Sequence, residues 1–329
     1  MRPLILSLLC SLSALAEPTG KLGADSSTIL GGMQAAMGPI PPAVTTPPVA
    51  TVLSETDCGS YTRRRIDLEV APGDLLPAFL LVPKQRQAKA PAMLCLHQTA
   101  EAGKDVVVGL GDANQFNYAS ELAERGFVTL APDYPGFGEL KDDRKNIYAS
   151  GFLSVTMKGI VNHRRSIDYL QSLPEVDPEK IGAIGHSLGG HNTLFIGAFD
   201  PRVKVMVTSC GFTEFKHYYN GDLTGWSHDG YMPRIKSAYH TNPAEMPFDF
   251  PQILAHLAPR HVFINAPLHD ANFEVAGVRS SVAHAMAAYE THQAADHLVA
   301  VYPEAEHSFP PEIREQAYGC IAKALGVTP

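Results

Sequence analysis

The chain is short of the features that mark a partner of nucleic acid, a metalloprotein or a membrane span. Its 26 lysines and arginines are outnumbered by 34 aspartates and glutamates, for a formal net charge of −8, and its densest basic cluster is only Arg63-Arg64-Arg65. A phosphate backbone calls for a concentrated positive surface, so nucleic acid is not an expected partner. No H-x-x-x-H, H-E-x-x-H or close cysteine pair occurs, and neither a metal nor a cofactor is expected. "GLGDAN" follows no strand with G-x-G-x-x-G spacing, and no such fingerprint stands elsewhere, which argues against a dinucleotide-dependent enzyme.

Long apolar runs are also scarce. The longest opens the chain, "MRPLILSLLCSLSALAEPTG", with Arg2 ahead of Leu4 to Leu15 and Ala14-Leu15-Ala16 before Glu17. It is too short to cross a bilayer and has the layout of a secretory signal, residues 1–16, cleaved after Ala16. The mature chain is therefore expected to be secreted or periplasmic, with no membrane span. Cysteine is sparse as well: after the signal only Cys58, Cys95, Cys210 and Cys320 remain. Cys95 and Cys210 lie in apolar strand-like runs and read as buried thiols. Cys58 with Cys320 is a possible bridge in an oxidising compartment, which spacing alone does not establish.

What is present begins with a change of texture. Residues 17–60 are rich in Gly, Pro, Ser and Thr, and "GPIPPAVTTPPV" holds five prolines in twelve positions, so this segment reads as a strap or linker. From there to residue 329 strand-like runs alternate with helical spacing: "RIDLEV", "LPAFLLVP", "PAMLCLH", "NYASELAERG", "FVTLAPD", "VNHRRSIDYLQSL", "KIGAIGHS", "LGGHNTLFIGAF", "VKVMVTSCG", "HVFINAPLHD", "VRSSVAHAMAAYETH", "LVAVYPEAEH". Short apolar strands separated by helices indicate an α/β domain over residues 61–329. Its sheet is expected to have about eight mostly parallel strands, with helices on both faces. The rhythm breaks between about 212 and 248, where Tyr218, Tyr219, Trp226, Tyr231 and Met232 occur without a clean period, and this insertion reads as a lid or binding loop.

The stretch that carries chemistry is "IGAIGHSLGGHNTLFIGAF". A strand-like run ends at Ser187 between Gly185 and Gly189, and a helix follows. Serine is a good helix cap, but a cap has no need of glycine on both sides. A sharp turn that pushes a hydroxyl into the open does need them, and G-x-S-x-G between strand and helix is the nucleophile-elbow pattern. A serine nucleophile requires a base and an orienting carboxylate, here in the order serine, acid, histidine, each after a later strand. Asp270 ends "HVFINAPLHD" and His307 ends "LVAVYPEAEH", where that order requires them. Glu274 is the alternative acid. His269 is expected to point away from Asp270, His191 to pack on the helix that follows Ser187, and Glu306 to be exposed. The oxyanion formed on attack needs two donors. The backbone N–H of Leu188 is one; the "LHQT" turn offers that of Thr99, or of Gln98, as the other. In the insertion, Trp226 and Tyr231 are candidates for contact with a sugar or aryl ring, as Gln98 is for contact with substrate.

With Ser187, Asp270, His307 and the "LHQT" turn placed, residues 65–326 resemble the α/β-hydrolases. They are most similar to secreted serine carboxylesterases of the dienelactone-hydrolase-like and acetyl-xylan-esterase-like groups, including "APDYPGFGE" and "AEHSFPPE". The resemblance implies Ser187 as nucleophile, His307 as base, Asp270 as orienter, and Thr99 and Leu188 as oxyanion donors. The chain departs in having serine where dienelactone hydrolases proper usually have cysteine, Leu188 where one deacetylase group has glutamine, and His97-Gln98 where many relatives have His-Gly. The expected activity is hydrolysis of a small-molecule or polysaccharide-linked carboxylic ester through an acyl-enzyme. A serine peptidase acting on short peptides or acyl-amino substrates is the alternative, and a binding module on an inactive scaffold is disfavoured because no triad member is missing. Neither the acyl group nor the alcohol is legible, nor is the oligomeric state.

Overall fold

Residues 28–86, 88–111 and 116–327 are described by the computed structural model. The signal segment 1–16 and the start of the strap lie outside the described residues. Among the described residues nine strands form one sheet: β1 (Val49–Asp57), β2 (Tyr61–Ala71), β3 (Asp74–Pro83), β4 (Ala90–Leu96), β5 (Val128–Pro132), β6 (Val176–His186), β7 (Val203–Ser209), β8 (His261–Asn265) and β9 (Leu298–Val301). Their order is β1-β2-β3-β5-β4-β6-β7-β8-β9. The run from β1 through β3 to β5 is antiparallel, and β5 through β9 is parallel.

The helices are α1 (Ile29–Met37), α2 (Tyr118–Glu124), α3 (Arg144–Ala149), α4 (Val155–Ser172), α5 (Leu188–Phe199), α6 (Arg234–Ser237), α7 (Phe250–Leu257), α8 (Val275–Thr291) and α9 (Pro311–Leu325). They divide between the two sheet faces. Leu94 and Leu96 of β4 join a core with Met157 and Ile160 of α4, Leu194 and Phe195 of α5 and Leu254 of α7. Met93 and Cys95 of the same strand face the other way, onto a core with Leu122 of α2 and Ile313, Ala317 and Ile321 of α9. Every residue of β4 is buried, which is why it reads as a continuous apolar run without alternation.

One strand more is present than the apolar runs suggest. Strand β1 is exposed along nearly its whole length and carries no apolar period; it is held by backbone pairing to β2, from Val49 opposite Glu69 to Asp57 opposite Thr62. The segment expected as a strap also contains α1, which ends ahead of the prolines and buries Met33, Ala36 and Met37 in the larger core. Its proline run is tied down by Arg165 of α4, which donates to the carbonyls of Val44 and Thr46. The insertion holds α6 and three 3₁₀ turns over Phe215–Gly221, Leu223–Trp226 and Pro243–Glu245, with Phe215, Leu223, Trp226, Met232 and Phe248 buried. Cys95 and Cys210 are buried as expected, while Cys58 and Cys320 are free thiols and form no bridge. Among the described residues, no helix is long and apolar enough to cross a membrane.

Candidate active site

Four loops at the carboxyl ends of the parallel strands meet at one place, where ligands bind in such sheets. The serine comes from the β6–α5 junction. Ser187 has φ 53° and ψ −115°, a backbone state unusual for any residue but glycine. The turn is so tight that a Cβ on Gly185 would stand 2.2 Å from the Gly189 carbonyl oxygen. One on Gly189 would stand 2.0 Å from that of Leu96. Only hydrogen fits at either position. The Ser187 N–H donates to the Ser209 carbonyl at 2.8 Å, pinning the turn to β7.

The loop after β8 brings Asp270, and the loop between β9 and α9 brings His307. Both carboxylate oxygens of Asp270 lie 2.9 Å from His307 Nδ1, and one of them also accepts the N–H groups of Asn272 at 2.8 Å and Phe273 at 3.1 Å. A carboxylate so fixed makes Nδ1 the protonated nitrogen and leaves Nε2 free to accept a proton. Ser187 and His307 line one cavity of about 580 Å³ together with Gln98, Thr99, Phe116, His186, His191 and residues of the insertion. The competitors point elsewhere. His269 pairs with Glu304 at 2.8 Å and is exposed, Glu274 stands at the start of α8 with its carboxylate 3.0 Å from His217, and Glu306 is exposed.

Leu188 opens α5, and its N–H belongs to the first turn, whose donors have no partner within the helix. The positive end of the helix dipole adds to its attraction for an oxyanion. On the facing side, the "LHQT" turn is shaped by His97. The His97 ring is buried, accepts the Tyr134 N–H at Nε2 over 2.8 Å, and donates from Nδ1 to the Gln98 carbonyl over 2.6 Å. Burial lowers its pKa, which keeps it neutral and able to play both parts.

Some functional neighbours were not legible in the sequence. The imidazole of His186 is buried, stacks on Phe116 at 4.5 Å, lies 4.8 Å from the His307 ring, and has its Nδ1 2.9 Å from Ser209 Oγ. Burial, and secondly the neighbouring His307, hold its pKa well below the usual value. Asn265 donates to Ser209 Oγ at 2.8 Å and to the Ser308 carbonyl at 2.9 Å, so the end of β8 holds the histidine loop. Cys210, read only as a buried thiol, donates to that same carbonyl at 3.3 Å, and burial together with Asp270 pushes its pKa up. Among the described residues, Cys210, Asp270 and His307 are the one group with the proximity of metal ligands, and two of its three donors are taken by the Asp270–His307 hydrogen bond.

Trp226 is 3 % exposed. It packs among Phe215, Tyr218, Tyr231 and Phe250 and is one of the residues that line the cavity. Tyr231 also lines the cavity, with its hydroxyl 3.4 Å from that of Thr99.

Residues 28–322 match the Abhydrolase family. The chain belongs to the Abhydrolase family. Among curated proteins it is 28 % identical over 265 residues to YtaP of Bacillus subtilis, described as a hydrolase, an alignment covering 76 % of this chain and 83 % of that one. Its fold is shared with a glucuronoyl esterase from Solibacter usitatus, at a TM-score of 0.71 and 18 % identity over 90 % of this chain and 91 % of that one. It is shared too with acetyl xylan esterase 1 from Thermoanaerobacterium sp., at a TM-score of 0.58 and 16 % identity over 85 % and 89 %. This abhydrolase thus has the α/β-hydrolase architecture that its elbow implied, a nine-stranded, mostly parallel sheet covered on both faces.

Proposed function

We propose that this abhydrolase is a serine hydrolase that cleaves carboxylic esters through an acyl-enzyme, acting on a small or carbohydrate-linked ester outside the cytoplasm. The observation that carries the reading is the Asp270–His307 hydrogen bond at the wall of a cavity that Ser187 also lines. The names of structural neighbours, glucuronoyl and acetyl xylan esterases, agree with a carbohydrate-linked substrate.

In the reaction, Ser187 Oγ adds to the acyl carbon while His307 Nε2 takes its proton, and Asp270 stabilises the imidazolium. The tetrahedral oxyanion is held by the N–H groups of Leu188 and Thr99, each worth about 3 kcal/mol of barrier. His307 returns the proton to the departing alkoxide as the C–O bond breaks. Water then repeats the addition on the acyl-enzyme, losing its proton to His307, and collapse releases the acid and restores Ser187.

Hydrolysis of p-nitrophenyl acetate by the unaltered enzyme and by Ser187→Ala tests this. The substitution is expected to lower kcat by at least about 10⁴-fold. Equal rates would defeat the proposal.

A further inference from the structure

A second cavity, of about 550 Å³, shares no lining residue with the catalytic one. It lies between the proline run of the strap and α4, and Pro41, Pro42, Val44, Val70, Phe152 and Val161 give it apolar walls. Arg165 fixes its roof, since the guanidinium donates to the Val44 and Thr46 carbonyls of the strap and to that of Val70 in β2. Four cations and three anions also line it, Lys158, Arg164, Arg165 and Arg202 with Asp74, Asp168 and Asp200. All but one cancel in pairs. Lys158 meets Asp74, Arg165 meets Asp168 at 2.7 Å, and Arg202 grips Asp200 through Nε at 2.8 Å and Nη2 at 2.6 Å. Arg202 Nη1 also takes the other oxygen of Asp168 at 2.7 Å. Every carboxylate oxygen of Asp168 and Asp200 therefore already accepts a guanidinium N–H.

Arg164 is the cation left over. The Asp200 carboxylate stands 4.0 Å from its Nε, too far for a hydrogen bond, and Arg164 makes none among the described residues. Its Nε is closed off, while the side chain as a whole is 31 % exposed, so the terminal Nη groups are its open end. A guanidinium beside apolar walls attracts an anion more strongly than one surrounded by water, and its planar fork matches a carboxylate. A net charge of −8 gives the chain no general attraction for anions, so this patch is a local exception. We propose that the cavity binds an organic carboxylate with an apolar body, the carboxylate on Arg164 and the body against Pro41, Pro42 and Phe152. A surplus of one positive charge suits a monoanion better than a phosphate monoester, which carries about −1.5 to −2 at pH 7. The site is separate from the ester-hydrolase reading and does not depend on it.

Equilibrium dialysis of the unaltered protein at pH 7.5 against radiolabelled octanoate, octan-1-ol and octyl phosphate tests this. Octanoate is expected to bind saturably, at least about tenfold more tightly than octan-1-ol, which has the same body without the charge, and more tightly than octyl phosphate. Arg164→Gln is expected to bring octanoate down to the affinity of octan-1-ol. That substitution removes no hydrogen bond within the protein and is expected to leave the urea midpoint unchanged, which separates lost binding from lost fold. Octanoate held in the catalytic cavity would be insensitive to Arg164. An octanoate preference that survives Arg164→Gln therefore overturns the inference. So does equal affinity for octanoate and octan-1-ol, or no saturable binding of octanoate at all. Tighter binding of octyl phosphate overturns the assignment of a carboxylate.

Discussion

His97 donates from Nδ1 to the carbonyl of Gln98 at 2.6 Å, and that one bond sets the direction of the next peptide group. In a planar trans peptide the C=O of residue 98 and the N–H of residue 99 point opposite ways. Pinning the carbonyl to His97 therefore aims the Thr99 N–H away from it, and the Tyr134 N–H on Nε2 keeps the ring from turning. His97→Phe is expected to lower kcat by about 10- to 100-fold with KM within threefold, because an oxyanion donor acts in the transition state and not on bound substrate. Steady-state kinetics on p-nitrophenyl acetate check this, and a change confined to KM would contradict it.

Asp270 is held by two backbone N–H groups as well as by His307. Asp270→Asn keeps its size but presents an amide that favours the wrong imidazole tautomer. A fall in kcat of about 10³- to 10⁴-fold is expected, with the unfolding midpoint little changed. Near-normal turnover would mean that another group orients the base.

Gly189 packs against backbone that cannot yield. A methyl group there would stand 2.0 Å from the Leu96 oxygen and 2.9 Å from that of His97. Gly189→Ala is expected to cost more than about 3 kcal/mol in urea denaturation or to leave no folded protein, the scale of a severe core clash. An unchanged midpoint would show that the elbow is looser than described.

Burial pushes His163 and His191 down to about 3. An unfolded histidine titrates near 6.5, so below that pH the unfolded chain binds protons that the folded chain cannot. The stability held above pH 6.5 is thus lost as pH falls from about 6.5 toward 3. Each of the two histidines contributes a slope of about 1.4 kcal/mol per pH unit. His97 and His186 lean the same way. Urea midpoints between pH 7.5 and 4 measure the slope, and His163→Leu is expected to make it shallower by one histidine's share. An identical slope in the variant would contradict the assignment.

That Ser187, Asp270 and His307 follow strand ends could be read from the chain because each sits beside an apolar strand whose run ends sharply, and strand ends are where a parallel sheet places its ligands. The sheet's edge could not be read so. Strand β1 buries no face, and side-chain pattern is silent where backbone pairing alone holds a strand. Helix α1, only nine residues with two glycines, is stabilised by burying Met33 and Met37 against distant parts of the chain. Likewise, Cys210 and Asn265 read as ordinary strand-end residues, since the carbonyl they share belongs to Ser308, far along the chain. Their role follows from the third dimension and has no local signature.

The most direct measurement of the central claim is the site of fluorophosphonate labelling, located by mass spectrometry of the digested protein. A single adduct on Ser187 is expected, with labelling slowed by more than about 10³-fold in His307→Gln. An unlabelled Ser187, or equal labelling rates in the two proteins, would contradict the account.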